Sequence, residues 1–351
     1  MSETHLVQAD RLKSLCTEIQ MAAGIGQADA QVVADCLVEA NLMGLDTHGV
    51  IRLKVYLDRV REGGNNPAPT VRTVKDAPCT ALLDADNALG PVGGKAGMDL
   101  AINKAATTGL AMVLVTNGNH YGPAGYYTRM ATERNMIGLS LSNVLASMPP
   151  TGGAQAQIGN NPYSIAFPTG DEPAVVVDGA TSKASWGKLF LCAQTEQNLP
   201  ADCYLDAEGN VTVDPQAVLA GGCLLPIAGH KGYGLAAAIE LLTGMLAGSV
   251  LDHDIPHPYK KLDTPGANTF TMMAIRPDAF GKIETFKRRM DEWARRLRNT
   301  RKAPGADRIY LPGEIEHITR QKRLAEGIPL NEAMWKELHT LASDASVDID
   351  A

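Results

Sequence analysis

Paired cysteines, a basic excess and long apolar runs are all missing from this chain of 351 residues, and each absence removes a class of function. The six cysteines (Cys16, Cys36, Cys79, Cys192, Cys203, Cys223) form no CxxC pair and no metal-type spacing, which argues for reduced thiols and against zinc. No stretch reaches the length of a membrane span, and the first ten residues lack a basic patch followed by an apolar run. A soluble, cytoplasmic protein is expected. The net charge of -7 offers little to a nucleic acid. The one basic segment, 282–302, is interrupted by Glu284, Asp291 and Glu292. Its stripe of Ile283, Phe286, Met290, Trp293 and Leu297 reads as an amphipathic helix with a solvated face.

Other chemistries fail on spacing. Segment 90–95 is glycine-rich but lacks the gap and the hydroxyl residue of a phosphate loop. No G-x-S-x-G elbow occurs. His253 and His257 are spaced like zinc ligands, yet Pro256 and Pro258 forbid the helix that would unite them, so no metal site is expected.

The length allows one large or two modest domains, and 45% hydrophobic residues suffice for a full core. Apolar residues recur at helical spacing over 7–23, 29–43 and 49–62, and Gly63-Gly64-Asn65-Asn66-Pro67 closes this block. From 71 to 276 short β-rich runs (79–83, 111–116, 137–142, 164–168, 174–178, 269–275) alternate with helix candidates at 93–108, 123–134, 183–196 and 232–247. This is an α/β pattern. Helices return at 283–297 and 331–342, and the helices of both chain ends are expected to pack together as a second, discontinuous domain.

Three segments carry candidate chemistry. In Asp46-Thr47-His48-Gly49-Val50-Ile51-Arg52 a helix starting near Gly49 would set His48 and Arg52 on one face. An arginine fork suits a carboxylate, and a histidine at a helix start tends to stay neutral and can exchange a proton. The plainer alternative is a capping histidine and a surface arginine. His120 follows an apolar strand and precedes Pro123, where free helix N–H groups could hold an anion; it is a candidate acid or base, or a loop histidine satisfied by backbone. Gly229-His230-Lys231-Gly232-Tyr233-Gly234 opens a helix with part of a dinucleotide fingerprint. The acidic residue that should follow falls in a proline-rich loop, at Asp252 and Asp254. What survives is a glycine-lined helix start beside Lys231, fit for a pyrophosphate or carboxylate, or simply tight packing.

Taken in order, these segments resemble the type 2 malate/L-lactate dehydrogenases, a family that includes ureidoglycolate, sulfolactate and diketogulonate enzymes. The resemblance also rests on Gly159-Asn160-Asn161-Pro162, Asp178 with Thr181 and Ser182, Trp186-Gly187-Lys188, and Leu311-Pro312-Gly313-Glu314. It implies an NAD- or NADP-dependent oxidoreductase acting on a small 2-hydroxy or 2-oxo carboxylate, malate or L-lactate first. It implies a non-Rossmann, mixed-sheet cofactor domain over 73–282. A helical substrate and dimerisation domain would comprise 1–72 plus 283–351, in an intertwined homodimer. By the same resemblance His48 and His120 flank the reacting carbon, Arg52 clamps the substrate carboxylate and Thr47 adjoins it. Cofactor contacts come from Ser142, Asn143, Asp178, Gly179, Ala180, His230, Lys231, Gly232, Pro312, Gly313 and Glu314. Thr47, Val144 and Asn160 depart from the commonest family residues, and Val144 removes a hydroxyl. Two alternatives stand beside this reading: reduction of a cyclic imine carboxylate on the same fold, and a cofactor-free carboxylate-binding or lyase-type protein using only His48 and Arg52.

Overall fold

A central seven-stranded sheet organises the computed structural model, which describes residues 4–349. Its strands run in the order β2 (Arg72–Asp76), β3 (Thr80–Asp84), β4 (Leu110–Gly118), β12 (Asn268–Ile275), β5 (Ile137–Ser142), β8 (Tyr163–Phe167) and β9 (Val175–Gly179). Six of these were expected from alternation. β4, for instance, buries every second residue from Ala111 to Val115. The strand not foreseen is β2, whose residues are all exposed; its charged sequence suits an unprotected sheet edge.

Only β3 and β4 are parallel, and α4 (Gly90–Thr108) is their crossover; every other neighbouring pair is antiparallel. The sheet is therefore mixed and has no repeated βαβ unit, which explains why the dinucleotide fingerprint is incomplete. The glycines of 90–97 do packing work instead. A Cβ at Gly97 would lie 2.6 Å from Val115, and one at Gly94 would lie 2.6 Å from Tyr127, so α4 rests its glycine face on the sheet and α5 (Ala124–Thr132).

A second hydrophobic cluster joins the two ends of the chain. It combines α1 (Ala9–Ala22), α2 (Gln27–Leu42) and α3 (Leu53–Arg61) with α11 (Glu332–Asp344) and a ribbon of β1 (Thr4–Val7) with β13 (Ile328–Asn331). Leu12, Leu37, Leu53, Ile328 and Leu338 are fully buried there, each stabilising the fold by roughly 1.5–3 kcal/mol. Helix α10 (Glu314–Glu326) lies on α2 through a two-pronged Arg320–Glu39 pair at 2.8 and 2.9 Å. Helix α9 (Ile283–Arg298) is placed differently from the expected terminal bundle. Its buried Asp291 accepts the N–H groups of Gly170, Asp171 and Glu172 at 3.0, 2.9 and 3.3 Å, which docks it on the β8–β9 turn. An amphipathic stripe tells which face is covered, not by what.

A smaller third cluster gathers β6 (Ala146–Met148), β7 (Ile158–Gly159), β10 (Tyr204–Leu205), β11 (Cys223–Leu224), α6 (Trp186–Gln194), α7 (Pro215–Leu219) and α8 (His230–Glu240) around Leu189, Tyr204 and Ala236. The helix expected over 232–247 is α8 followed by a wider π turn at Leu241–Met245. Among the described residues no helix is long and apolar enough to cross a membrane, and no cluster of three metal-ligating side chains occurs.

Candidate active site

The helix expected from Gly49 does not form as a single piece. Two 3-10 turns, Asp46–His48 and Val50–Arg52, meet at Gly49, whose ψ of -151° breaks the helix before α3 begins. The cause is Asn41 on α2. Its amide donates to Asp46 at 2.7 Å and accepts Val50 N–H at 2.8 Å, and a Cβ at residue 49 would collide with it. His48 and Arg52 therefore do not share a helix face. They are brought together because Arg52 folds back and gives its Nε–H to the Thr47 carbonyl at 2.7 Å. Its two terminal nitrogens, without a hydrogen-bond partner among the described residues, can address a carboxylate.

His120 arrives from the end of β4. Its ring stacks on His48 at 5.7 Å between centroids, with 22° between planes. Tyr56 of α3 lies 2.7 Å from His120 Nδ1 and donates to the His120 carbonyl at 3.2 Å. The preceding residue, Asn119, is part of a buried knot centred on Arg59. The Arg59 guanidinium reaches Asn65, Gly64, Asn119, Pro258, Lys261 and Thr264, pinning the 258–264 loop against α3. That loop presents Tyr259, whose ring lies 5.6 Å from the Arg52 guanidinium carbon.

Electrostatics keeps both imidazoles neutral. Burial, reinforced by the Arg52 charge, lowers His48 to about 4. Burial, Arg52 and then His48 push His120 well below the usual histidine range. Arg52 is itself lowered by burial and remains a cation. A pair of neutral imidazoles beside a fixed positive charge can accept a proton from an anionic alcohol substrate.

A cleft of about 460 Å³ opens a short way along the chain from both histidines, lined by Leu45, Gly125, Arg129, Asp178, Pro312 and Gly313 among others. Three of the residues expected to touch a cofactor thus line one cavity. Asp178 is raised to about 6, chiefly by burial, and its carboxylate accepts Gly125 N–H at 3.1 Å. The free N–H at the start of α5, anticipated as an anion site next to His120, is therefore occupied by the protein's own Asp178. Pro123 precedes that helix instead of opening it. Gly179 has open space over its Cα, and Ala180 links it to Thr181. The buried Thr181 hydroxyl and the Arg129 Nε–H lack partners among the described residues. Of these two, Arg129 lines the cleft, and an unpartnered buried N–H donor there fits a polar cofactor with phosphate groups.

Other expected cofactor residues are engaged already. The Asn143 side chain accepts Thr269 N–H at 2.7 Å and donates to Glu240 and Val250, so it braces β12 and α8. The Glu314 carboxylate takes Leu311 N–H, Arg298 and Arg308, and holds the 312–314 turn closed. Both side chains act as braces within the fold. The Ser142 hydroxyl is buried and donates to the Asn143 carbonyl. His230 and Lys231 are exposed at the start of α8. Gly232 is buried where a Cβ would strike the Ile227 carbonyl, which supports the packing alternative for that glycine.

Residues 7–339 match the family described as malate/L-lactate dehydrogenase. The chain belongs to that family. It is 37% identical over 350 residues to malate dehydrogenase of Pyrococcus horikoshii, covering 97% of this chain and 96% of that one. It is 33% identical over 333 residues to an NAD(+)-dependent ureidoglycolate dehydrogenase of Escherichia coli, covering 95% and 94%. The solved sulfolactate dehydrogenase of Methanocaldococcus jannaschii superposes with a TM-score of 0.91 at 34% identity over 99% of both chains. The protein is thus a dehydrogenase of the CH–OH group of hydroxy acids, with a mixed α/β fold and nicotinamide chemistry.

Tyr56, Tyr259, Arg59, Asn41 and Arg129 were not singled out by sequence. Tyr56 alone left a usable signal, since it stands four residues after Arg52 on a helical pattern. Arg59 and Tyr259 act through long-range loop contacts, and Asn41 through two irregular turns, none of which a spacing encodes.

Proposed function

We propose that the dehydrogenase oxidises small 2-hydroxy carboxylates, with malate or L-lactate as first substrates, using NAD or NADP. The observation that carries this is the stacked, neutral His48–His120 pair with the Arg52 fork folded against it. Arg52 holds the substrate carboxylate in two-pronged fashion, with Thr47 fixing the guanidinium through its carbonyl. One imidazole takes the hydroxyl proton. The bound nicotinamide supplies the hydride acceptor, the part of the chemistry that no side chain can perform.

Asp178, Pro312 and Gly313 suit the cofactor's hydroxyls and phosphates through the cleft, with Gly179 and Ala180 next along the chain, and the exposed Lys231 with the start of α8 suits an anionic group. We assign cofactor binding to 73–282 and substrate binding to the helical cluster of the chain ends, since His120 comes from the first and His48 from the second. Six unpaired cysteines support a reducing, cytoplasmic setting. Leu241, Leu242, Met245 and Leu246 stand 54%, 45%, 53% and 56% exposed on one continuous segment, which supports pairing with a second copy of the chain. Imine reduction and cofactor-free binding are not favoured by relatives that are hydroxy acid dehydrogenases.

A panel of 2-oxo acids and cyclic imine carboxylates, followed by loss of NADH or NADPH absorbance, tests the reading. Turnover of an oxo acid with either cofactor is the expected result. Turnover of imines alone, or of nothing despite saturable cofactor binding, would reject it.

A further inference from the structure

We propose that Tyr56 fixes His120 in the tautomer carrying its proton on Nδ1, so that Nε2 bears the lone pair and His120, not His48, is the proton acceptor. The use made of that lone pair rests on the dehydrogenase reading above; the tautomer itself does not.

The argument is a count of protons. Tyr56 Oη lies 2.7 Å from His120 Nδ1 and 3.2 Å from the His120 carbonyl oxygen, and it has one proton to give. If that proton goes to Nδ1, the carbonyl receives nothing from Tyr56 and one hydrogen bond is made. If it goes to the carbonyl, Nδ1–H donates back to Oη and both contacts become hydrogen bonds. Tyr56 is only 4% exposed, so solvent offers little replacement for the bond forgone. The second arrangement is selected. Whichever partner binds one ring nitrogen decides what the other can do.

His48 has no such constraint. Its Nδ1 meets Thr47 Oγ1 at 3.1 Å, and Thr47 is exposed, so the hydroxyl can rotate to serve either tautomer. The stacked pair is therefore asymmetric: one ring is fixed as an acceptor and the other follows its surroundings. With a nicotinamide bound to take the carbon's hydride, the substrate hydroxyl would give its proton to His120 Nε2 as the C=O bond forms. The resulting imidazolium keeps Nδ1–H on Tyr56 Oη, whose lone pairs offset the Arg52 charge facing the same ring. Tyr56 is a positioning residue, acting on the proton through His120.

The direct measurement is the pair of ¹⁵N shifts of His120 in the cofactor-free, histidine-labelled protein, assigned by their loss in His120→Gln. The expected spectrum has a pyridine-type Nε2 and a pyrrole-type Nδ1; the opposite assignment in the wild type overturns the proposal. In Tyr56→Phe the pyridine character should shift toward Nδ1. Turnover should fall about tenfold or more while cofactor affinity and the substrate KM hold within about twofold. Unchanged turnover also overturns it. If the wild-type tautomer is as expected but no hydroxy acid is oxidised, the functional reading fails and the tautomer assignment stands.

Discussion

At the scale of single residues, the site works by removing charge from its histidines. Because burial and Arg52 hold His48 near 4 and push His120 well below the usual histidine range, each imidazole stays unprotonated as pH falls until its own lowered value is reached. The acid limb of kcat/KM for alcohol oxidation should accordingly lie below the ordinary histidine value of about 6.5. A pH profile whose acid limb falls near 6.5 would contradict this. His120→Ala and His48→Ala should both depress turnover and leave cofactor affinity nearly intact in a fluorescence titration. Arg52→Lys replaces a fork with a point charge while keeping the net charge. The substrate KM should rise about tenfold to a hundredfold with less change in kcat, as expected for loss of one charge-assisted bond. An unchanged KM would rule out the clamp.

At the scale of elements, the decisive feature is the break at Gly49. Asn41 occupies the space a Cβ would need, so Gly49→Ala should cost about 1–3 kcal/mol and displace His48 with the turn that carries it. Calorimetry together with steady-state turnover would check both parts; a variant with native melting temperature and rate would refute the account. The same turn marks the limit of what the sequence discloses. Alternation announced β3, β4, β5, β8, β9 and β12, because side-chain period and burial are local properties. The ordered motifs likewise brought His48, Arg52, His120 and Asp178 forward. The helix break could not be read, since it depends on a side chain of α2 reaching across to Val50. Nor could the capping of α5 by Asp178, 53 residues away, or the meeting of Tyr56 with His120, 64 residues away. The placement of α9 was missed for the same reason: three backbone N–H groups of a distant turn choose its partner.

At the scale of the whole molecule, the exposed leucines beyond α8 are the feature least at home on a monomer. Leu242→Glu combined with Leu246→Glu should convert a pair of chains to single ones in light scattering, with little change in the fold of each chain by circular dichroism. A mass equal to one chain in the unmodified protein would dismiss the pairing.

The knot around Arg59 bears on how the molecule meets its surroundings. All the acceptors of that guanidinium are carbonyl or amide oxygens, with no carboxylate among them. Dissolved ions weaken attractions between opposite charges far more than they weaken bonds to neutral dipoles. The loop that presents Tyr259 to Arg52 should therefore keep its place in concentrated brine, even as surface pairs such as Arg288–Glu292 let go.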